Sequence, residues 1–305
     1  METRMSEGAH VEGMAEQENY SSRVLLHFFR HEEKGKDPDK TNEEQLLTER
    51  GKLRALAKGK SGRAALTSVA FGSDLPRAQE TAGFVLAGAN GAPDVTGTES
   101  LDELRAKLDK EREMGTVIGS DPRLGFTYND PKYREIADGA YDESHGLEYM
   151  ARESDALAEE LHDKKSTTYS RAAGNVASVL EKYMRVGRNY DKLIQDPSKK
   201  DEYGSVLERF LGSHMGVVDL FLTKLVDKVK GTAEQDKLIA ALNKQGFSYQ
   251  EGFDVVIDTI PGQDEPLVRL KYEKKDDEGK ELFSFNEVIP KDILRQLIEE
   301  GKIKE

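Results

Sequence analysis

Short apolar runs alternate with helical patterns along most of this chain, and that alternation limits the folds open to it. Val24 to Phe29 are apolar apart from His27, as in a central strand buried on both faces. Residues 34–41 hold Gly, Pro and charges and read as a loop, after which Glu43 to Ala57 carry helical spacing. Leu66 to Phe71 form a second run. Gly72 to Pro76 then turn the chain into a helix from Arg77 to about Leu86, with Asp74 or Ser73 as the expected cap and Pro76 in its first turn. A loop spans about 87–98, and Leu101 to Met114 form a charged helix. "GTVIGSD" predicts a short strand ending near Asp121, and residues 132–197 are mostly helical. Val206 to Leu211 form a further strand, followed by helices over Val217 to Val229 and over Glu234 to Asn243, the latter capped by Thr232. Strands over Phe253 to Ile260, Leu267 to Tyr272 and Leu282 to Phe285 precede a final helix after Pro290.

Strands in alternation with helices predict an α/β three-layer sandwich, with a mostly parallel central sheet and helices on both faces. The last strands are expected to pair antiparallel at its edge. Residues 1–21 lack periodicity and are expected to be a flexible tail, within which Met5 and Met14 are alternative start residues. Residues 22–305 then form one domain, with a mainly helical insertion at about 95–200.

Composition excludes several classes of function. Acidic residues outnumber Lys plus Arg by 13, which disfavours nucleic-acid or acidic-membrane binding but leaves room for a local basic pocket. The chain has no cysteine, so thiolate nucleophiles and disulfides are absent. No apolar run approaches eighteen residues and no signal-peptide pattern opens the chain, so a cytoplasmic protein is expected. The six histidines are scattered, and neither a metal nor a cofactor is expected.

The chemistry-bearing residues fall where apolar runs end: Arg30 and His31, Arg77, Asp121, and His214. In open α/β sheets the loops at the carboxyl ends of strands form the ligand crevice, so these residues can converge there. Arginine matches phosphate oxygens with a planar fork, and a helix N-terminus at Arg77 favours an anion further. A neutral imidazole with a fixed tautomer can attack phosphorus, and a second histidine can donate to the oxygens of the transferring group.

In their order and spacing these segments resemble the histidine phosphatase, or phosphoglycerate mutase-like, superfamily. "FFRHEEK" resembles the family's Arg-His pair closing the first strand, with Glu33 at the usual glutamate and Glu32 in place of a small residue. "LLTERGKLRAL" is similar to its Leu-Thr-x-x-Gly segment, and "SDLPRAQETA" to its Ser-x-x-x-Arg-Ala-x-x-Thr-Ala segment. "GSHMG" matches the second histidine, with Met215 where Gly often follows. The likeness covers about 20–90 and 205–225 and is poor in between.

The resemblance implies a metal-independent phosphoric monoester hydrolase, related to the histidine acid phosphatases. His31 would become phosphohistidine, and Arg30, Arg77 and His214 would hold the oxygens. A carboxylic acid would protonate the leaving group. In the mutase-like branch that acid is a glutamate in a Leu-x-Glu context, which "GSDPRLGFTYNDPKY" lacks after Leu124. Asp121 is therefore the first choice, with Asp130, Asp142 and Glu143 as alternatives. Met215 stands where the acid phosphatase branch has its aspartate. Other residues have plainer expectations. His27 is expected to pack beneath the site, and His145 to lie in a loop where it touches either substrate or solvent. Phe126, Tyr128, Tyr133 and Tyr141 are expected at a substrate entrance or in the core. The expected partner is a small phosphorylated substrate or a phosphoprotein. The competing function is a pseudoenzyme that keeps the anion pocket and binds phosphorylated ligands or a protein.

Overall fold

The computed structural model describes residues 20–62, 64–110 and 117–302, so the expected tail over 1–21 lies almost wholly outside the described residues. In chain order the elements are β1 (Ser22–Arg30), α1 (Glu49–Lys60), β2 (Val69–Gly72), α2 (Pro76–Asn90), α3 (Leu101–Lys110), β3 (Ile118–Ser120), α4 (Pro131–Asp142), α5 (Gly146–Glu160), α6 (Tyr169–Leu193), α7 (Pro197–Tyr203), β4 (Val206–Ser213), α8 (Val218–Lys230), α9 (Thr232–Ala241), β5 (Gly252–Thr259), β6 (Leu267–Lys275), β7 (Glu281–Val288) and α10 (Lys291–Gly301). The stretch expected as a helical insertion carries α3 to α7 and also the edge strand β3.

One seven-stranded sheet runs through the described residues in the order β3-β2-β4-β1-β5-β6-β7. β3, β2, β4 and β1 pair in parallel, while β5, β6 and β7 extend the sheet antiparallel. The strand alternation of β1 divides the core. Val24, Leu26 and Phe28 pack with the larger cluster around α6 and α8, whereas Phe29 joins Ala70 and Phe210 beneath α1 and α2. Apolar layers on both faces are what the continuous apolar runs of β1 and β4 require. No helix among the described residues is long and apolar enough to cross a membrane.

Several boundaries and caps differ from the sequence expectation for local reasons. Helix α1 begins at Glu49 rather than Glu43, because the Thr48 side chain accepts from Gly51 N–H and caps it there. Helix α2 runs on to Asn90 and stops at Gly91, which takes the left-handed conformation at φ 66°. Neither Asp74 nor Ser73 caps α2, whose preceding residue Leu75 offers no side-chain bond. Thr232 likewise lies inside α9, and its hydroxyl donates to Asp227 at 2.9 Å.

Beneath the sheet's α1/α2 face, His27 bridges two strands. Its Nδ1 lies 2.7 Å from Asp254 on β5 and its Nε2 3.0 Å from Glu208 on β4. Burial opposes the charged imidazole, but the two carboxylates outweigh it and raise His27 to about 10. It is a packed structural residue, stacked on Phe210, and it makes no contact with His31.

Helices α1 and α2 approach so closely that a Cβ on Gly88 would stand 2.1 Å from the Leu56 carbonyl oxygen. The helices must separate to admit it, and Gly88→Ala is expected to destabilise the fold by about 1–3 kcal/mol. Urea unfolding followed by circular dichroism measures this; an unchanged midpoint would contradict the close packing.

Candidate functional site

The parallel strands end at one edge of the sheet, and Arg30, His31, Arg77 and His214 gather there. Arg30 on β1 is paired with Ser213 on β4, and His31 N–H donates to the Ser213 carbonyl at 2.8 Å. This register sets His31 beside His214, with ring centroids 5.1 Å apart. The end of β2 supplies Ser73 and the first turn of α2 supplies Arg77. Arg77 Nε donates to His31 Nε2 across 3.2 Å, and its Nη1 donates to the Asn42 carbonyl at 2.6 Å.

The tautomer of His31 follows from its neighbours. Nδ1–H donates to the Glu32 carbonyl at 2.6 Å, so the lone pair is on Nε2, the atom that faces Arg77. Burial, reinforced by the charge of Arg77, holds the imidazole down to about 3. His31 is therefore neutral at physiological pH, with its lone pair on Nε2. His214 is pushed well below the usual histidine range by burial and by the same cationic neighbours. Its Nε2 lies 2.7 Å from Ser73 Oγ, which also accepts from Leu75 N–H at 3.1 Å. With Ser73 donating to Nε2, the proton of His214 is on Nδ1, which is buried and has no partner.

Arg30 is held from the opposite side. Its Nη1 donates to the Phe247 carbonyl at 2.5 Å and its guanidinium lies 4.5 Å from the centre of the Tyr249 ring. Its Nε is buried without a partner. An unpartnered guanidinium N–H and an unpartnered imidazole N–H at one strand edge are the donors an incoming oxyanion would satisfy.

Sequence reading missed four supports. Ser73 read as a helix cap, yet it bonds His214. Asn42 sat in an unremarkable polar loop, yet its carbonyl takes Arg77 and its side chain takes Lys34. Lys34 adds a further cation, depressed by burial and by Arg77. Asp219 accepts from Gly216 N–H at 2.7 Å and Phe247 N–H at 3.2 Å, joining the turn after His214 to the loop that holds Arg30. Burial raises its carboxyl to about 6. The nearby Gly246 takes φ 113°, and a Cβ there would lie 2.2 Å from Asp219 Oδ2. The segment His-Met-Gly-Val-Val-Asp was the available signal, since a carboxylate in the first turn of a helix serves free backbone N–H groups.

Other predicted residues take different places. Glu32 does not set free charge beside His31: its carboxylate accepts from Arg54 at 2.7 Å and from Glu33 N–H at 2.8 Å. Asp121 is at the end of β3 as expected, but Arg123 clamps both its oxygens at 2.8 and 2.6 Å and Lys182 adds 3.4 Å. Burial opposes the charge of Asp121, yet Arg123 prevails and keeps the carboxyl below its usual range, which is unfavourable for a proton donor. Asp130 caps α4, and Glu143 lies 3.9 Å from His145. His145 precedes α5 against Tyr149, and no contact links it to His31, Arg77 or His214. Phe126 packs edge-on to His214 with Tyr128 behind it, whereas Tyr133 is core, its hydroxyl donating to the Thr167 carbonyl. Among the described residues no cluster of three or more His, Asp or Glu is arranged to hold a metal ion.

No protein-family model matches the chain, and no curated protein sequence is significantly similar to it. Solved structures are. A phosphoglycerate mutase from Bacillus anthracis is 15% identical, with 93% of this chain and 99% of that one covered at a TM-score of 0.44. A mycobacterial glucosyl-3-phosphoglycerate phosphatase is 15% identical over 77% of this chain and 89% of its own, at 0.35. A putative alpha-ribazole-5'-P phosphatase from Escherichia coli is 15% identical over 88% and 95%, at 0.31.

The surroundings of His31 and His27 push the two rings in opposite directions. In the ligand-free protein, the ring of His31 is expected to stay neutral down to about pH 4 and that of His27 to stay protonated up to about pH 9, following values near 3 and 10. Histidine-selective NMR titration reads both; a His31 transition near pH 6.5 would contradict the buried, cation-flanked geometry.

Proposed function

We propose that this chain is a histidine phosphatase-type phosphomonoesterase that works through a phosphohistidine at His31. The observation that carries the reading is the neutral His31, its lone pair on Nε2 under Arg77, with unpartnered donors on Arg30 and His214. A phosphate monoester bound here would accept from Arg30 Nε, His214 Nδ1 and the Arg77 guanidinium, displacing the Arg77 bond to His31. Neutralised oxygens admit the attack: the His31 Nε2–P bond forms as the P–O bond to the leaving group breaks. Water then attacks phosphorus, releasing phosphate and restoring the neutral imidazole. The chemistry proposed needs no metal or cofactor. The substrate is a small phosphorylated compound or a phosphoprotein, reached past Phe126, Tyr128 and the exposed ring of Tyr249. A cytoplasmic location is part of the same reading.

The ion pair at Asp121 favours one alternative, a pocket that binds phosphorylated ligands without turning them over. Activity separates the two. Release of phosphate from an aryl phosphate in metal-free buffer is expected to fall at least ~1,000-fold in His31→Ala and ~100-fold in Arg77→Ala. Saturable phosphate binding by the parent, without release above background, would overturn the enzyme reading and establish the binding protein.

A further inference from the structure

The phosphatase reading leaves a chemical need unmet, since an alkoxide leaves phosphorus only slowly unless it is protonated. The carboxyls around the site are mostly engaged. Glu32 and Glu33 are taken by Arg54 and Arg50, Asp121 by Arg123 and Lys182, and Asp219 by backbone N–H groups. An acid must be free to hand over its proton and take it back.

Helix α4 lies across the site, and two contacts locate it. Arg134 Nη2 is 3.7 Å from Glu43, the residue after Asn42, whose carbonyl holds Arg77. About two turns further on, the Tyr141 hydroxyl is lodged against Gly216, two residues past His214; a Cβ there would be 2.8 Å from it. Residues 134, 138 and 141 share one stripe of the helix, at spacings of four and three. The stripe therefore spans from the Arg77 side of the pocket to the His214 side, and Asp138 is in its middle. The neighbouring stripe, about 100° round the helix, carries Tyr133, Ala137 and Ala140; it is buried and anchors the helix.

We infer that Asp138 is the proton donor to the leaving group, an assignment that rests on the phosphohistidine reading. Its side chain is solvent-exposed and, among the described residues, makes no hydrogen bond or ion pair. Partial burial raises its carboxyl above the ordinary aspartate range, with Arg134 opposing and Asp142 assisting on its own helix, and with Lys34 opposing from the loop after β1. The phenol of Tyr128, from the loop before α4, also feels its charge. In the first step the Asp138 O–H proton passes to the leaving oxygen as its bond to phosphorus breaks and His31 Nε2–P forms. In the second, the Asp138 carboxylate removes a proton from the water that attacks phosphorus, and phosphate departs from His31.

The test compares kcat/KM for p-nitrophenyl phosphate, whose leaving group needs little protonation, with glycerol phosphate, whose alkoxide needs it fully. This ratio covers the steps up to phosphohistidine. Asp138→Asn is expected to stay within ~3-fold of the parent on the aryl ester and to lose ~100-fold or more on the alkyl ester, with Asp138→Glu recovering part of that loss. Activity on the aryl ester also reports that the variant is folded. An equal loss on both esters would make Asp138 structural and overturn the assignment. A leaving-group-selective loss in Asp121→Asn instead would move the role there and overturn it equally. His31-dependent release with no selective loss in Asp138→Asn sinks only this inference, whereas a parent with no His31-dependent release sinks the phosphatase reading and this inference together.

Discussion

The pairing of β1 with β4 is the constraint on which the site depends. Parallel register carries Arg30 opposite Ser213, and the next backbone bond, from His31 N–H to the Ser213 carbonyl, fixes where both strands hand over to loops. Side chains in a strand alternate between faces, so a slip of one residue would turn His31 away from His214 and Val24, Leu26 and Phe28 out of their core layer. The apolar packing on both faces of β1 thus enforces the same register that sets His31 beside His214. The antiparallel neighbour β5 adds the other wall, since Arg30 N–H donates to Glu251 and Arg30 C=O accepts from Gln250 N–H, which brings the Phe247 carbonyl within reach of the guanidinium.

Desolvation then sets the electrostatics. Arg30, Arg77, His31 and His214 are all drawn from water, and burial is the first cause of the lowered basicity of each. Two imidazoles stay neutral as a result, and that neutrality leaves lone pairs and N–H groups with assigned directions. Donors left without partners cost about 1–3 kcal/mol apiece. The fold carries that cost in the ligand-free state, and an anion that satisfies Arg30 Nε and His214 Nδ1 would recover it. Asp219 limits the cost by placing a carboxyl between the two loops, close enough to Arg30 for its charge to count.

Much of this was legible in order along the chain. The apolar run into Arg30-His31, the turn before Arg77 and the Gly-Ser-His segment each mark a strand end, and strand ends in a parallel sheet share an edge. What escaped was the partner of several of these residues, some distant in sequence and one set by a local turn. Ser73 has the composition of a helix cap, and only the position of His214 turns its hydroxyl to another use. Asp121 looks like a free acid at a strand end, and only the conformation of the Pro122–Leu124 turn wraps Arg123 around it. Lys34 and Asn42 belong to a stretch of loop residues whose local pattern carries no periodicity, so nothing in it indicates that they back Arg77.

Local rules along the chain suffice for the class of fold and for the identity of the groups at the strand ends: apolar periodicity selects strand or helix, and chemistry is a property of residue type. The tertiary structure alone decided which of those groups are free. Whether a carboxyl is clamped, as at Asp121, or left open, as at Asp138, depends on how the local turn folds Arg123 back and on the Lys182 that α6 brings up, and whether a histidine is a charged strut, as at His27, or a neutral ring, as at His31, depends on whether the fold packs carboxylates or guanidinium groups around it. Electrostatic interactions act through space and burial, and neither is encoded in the spacing of residues along a chain.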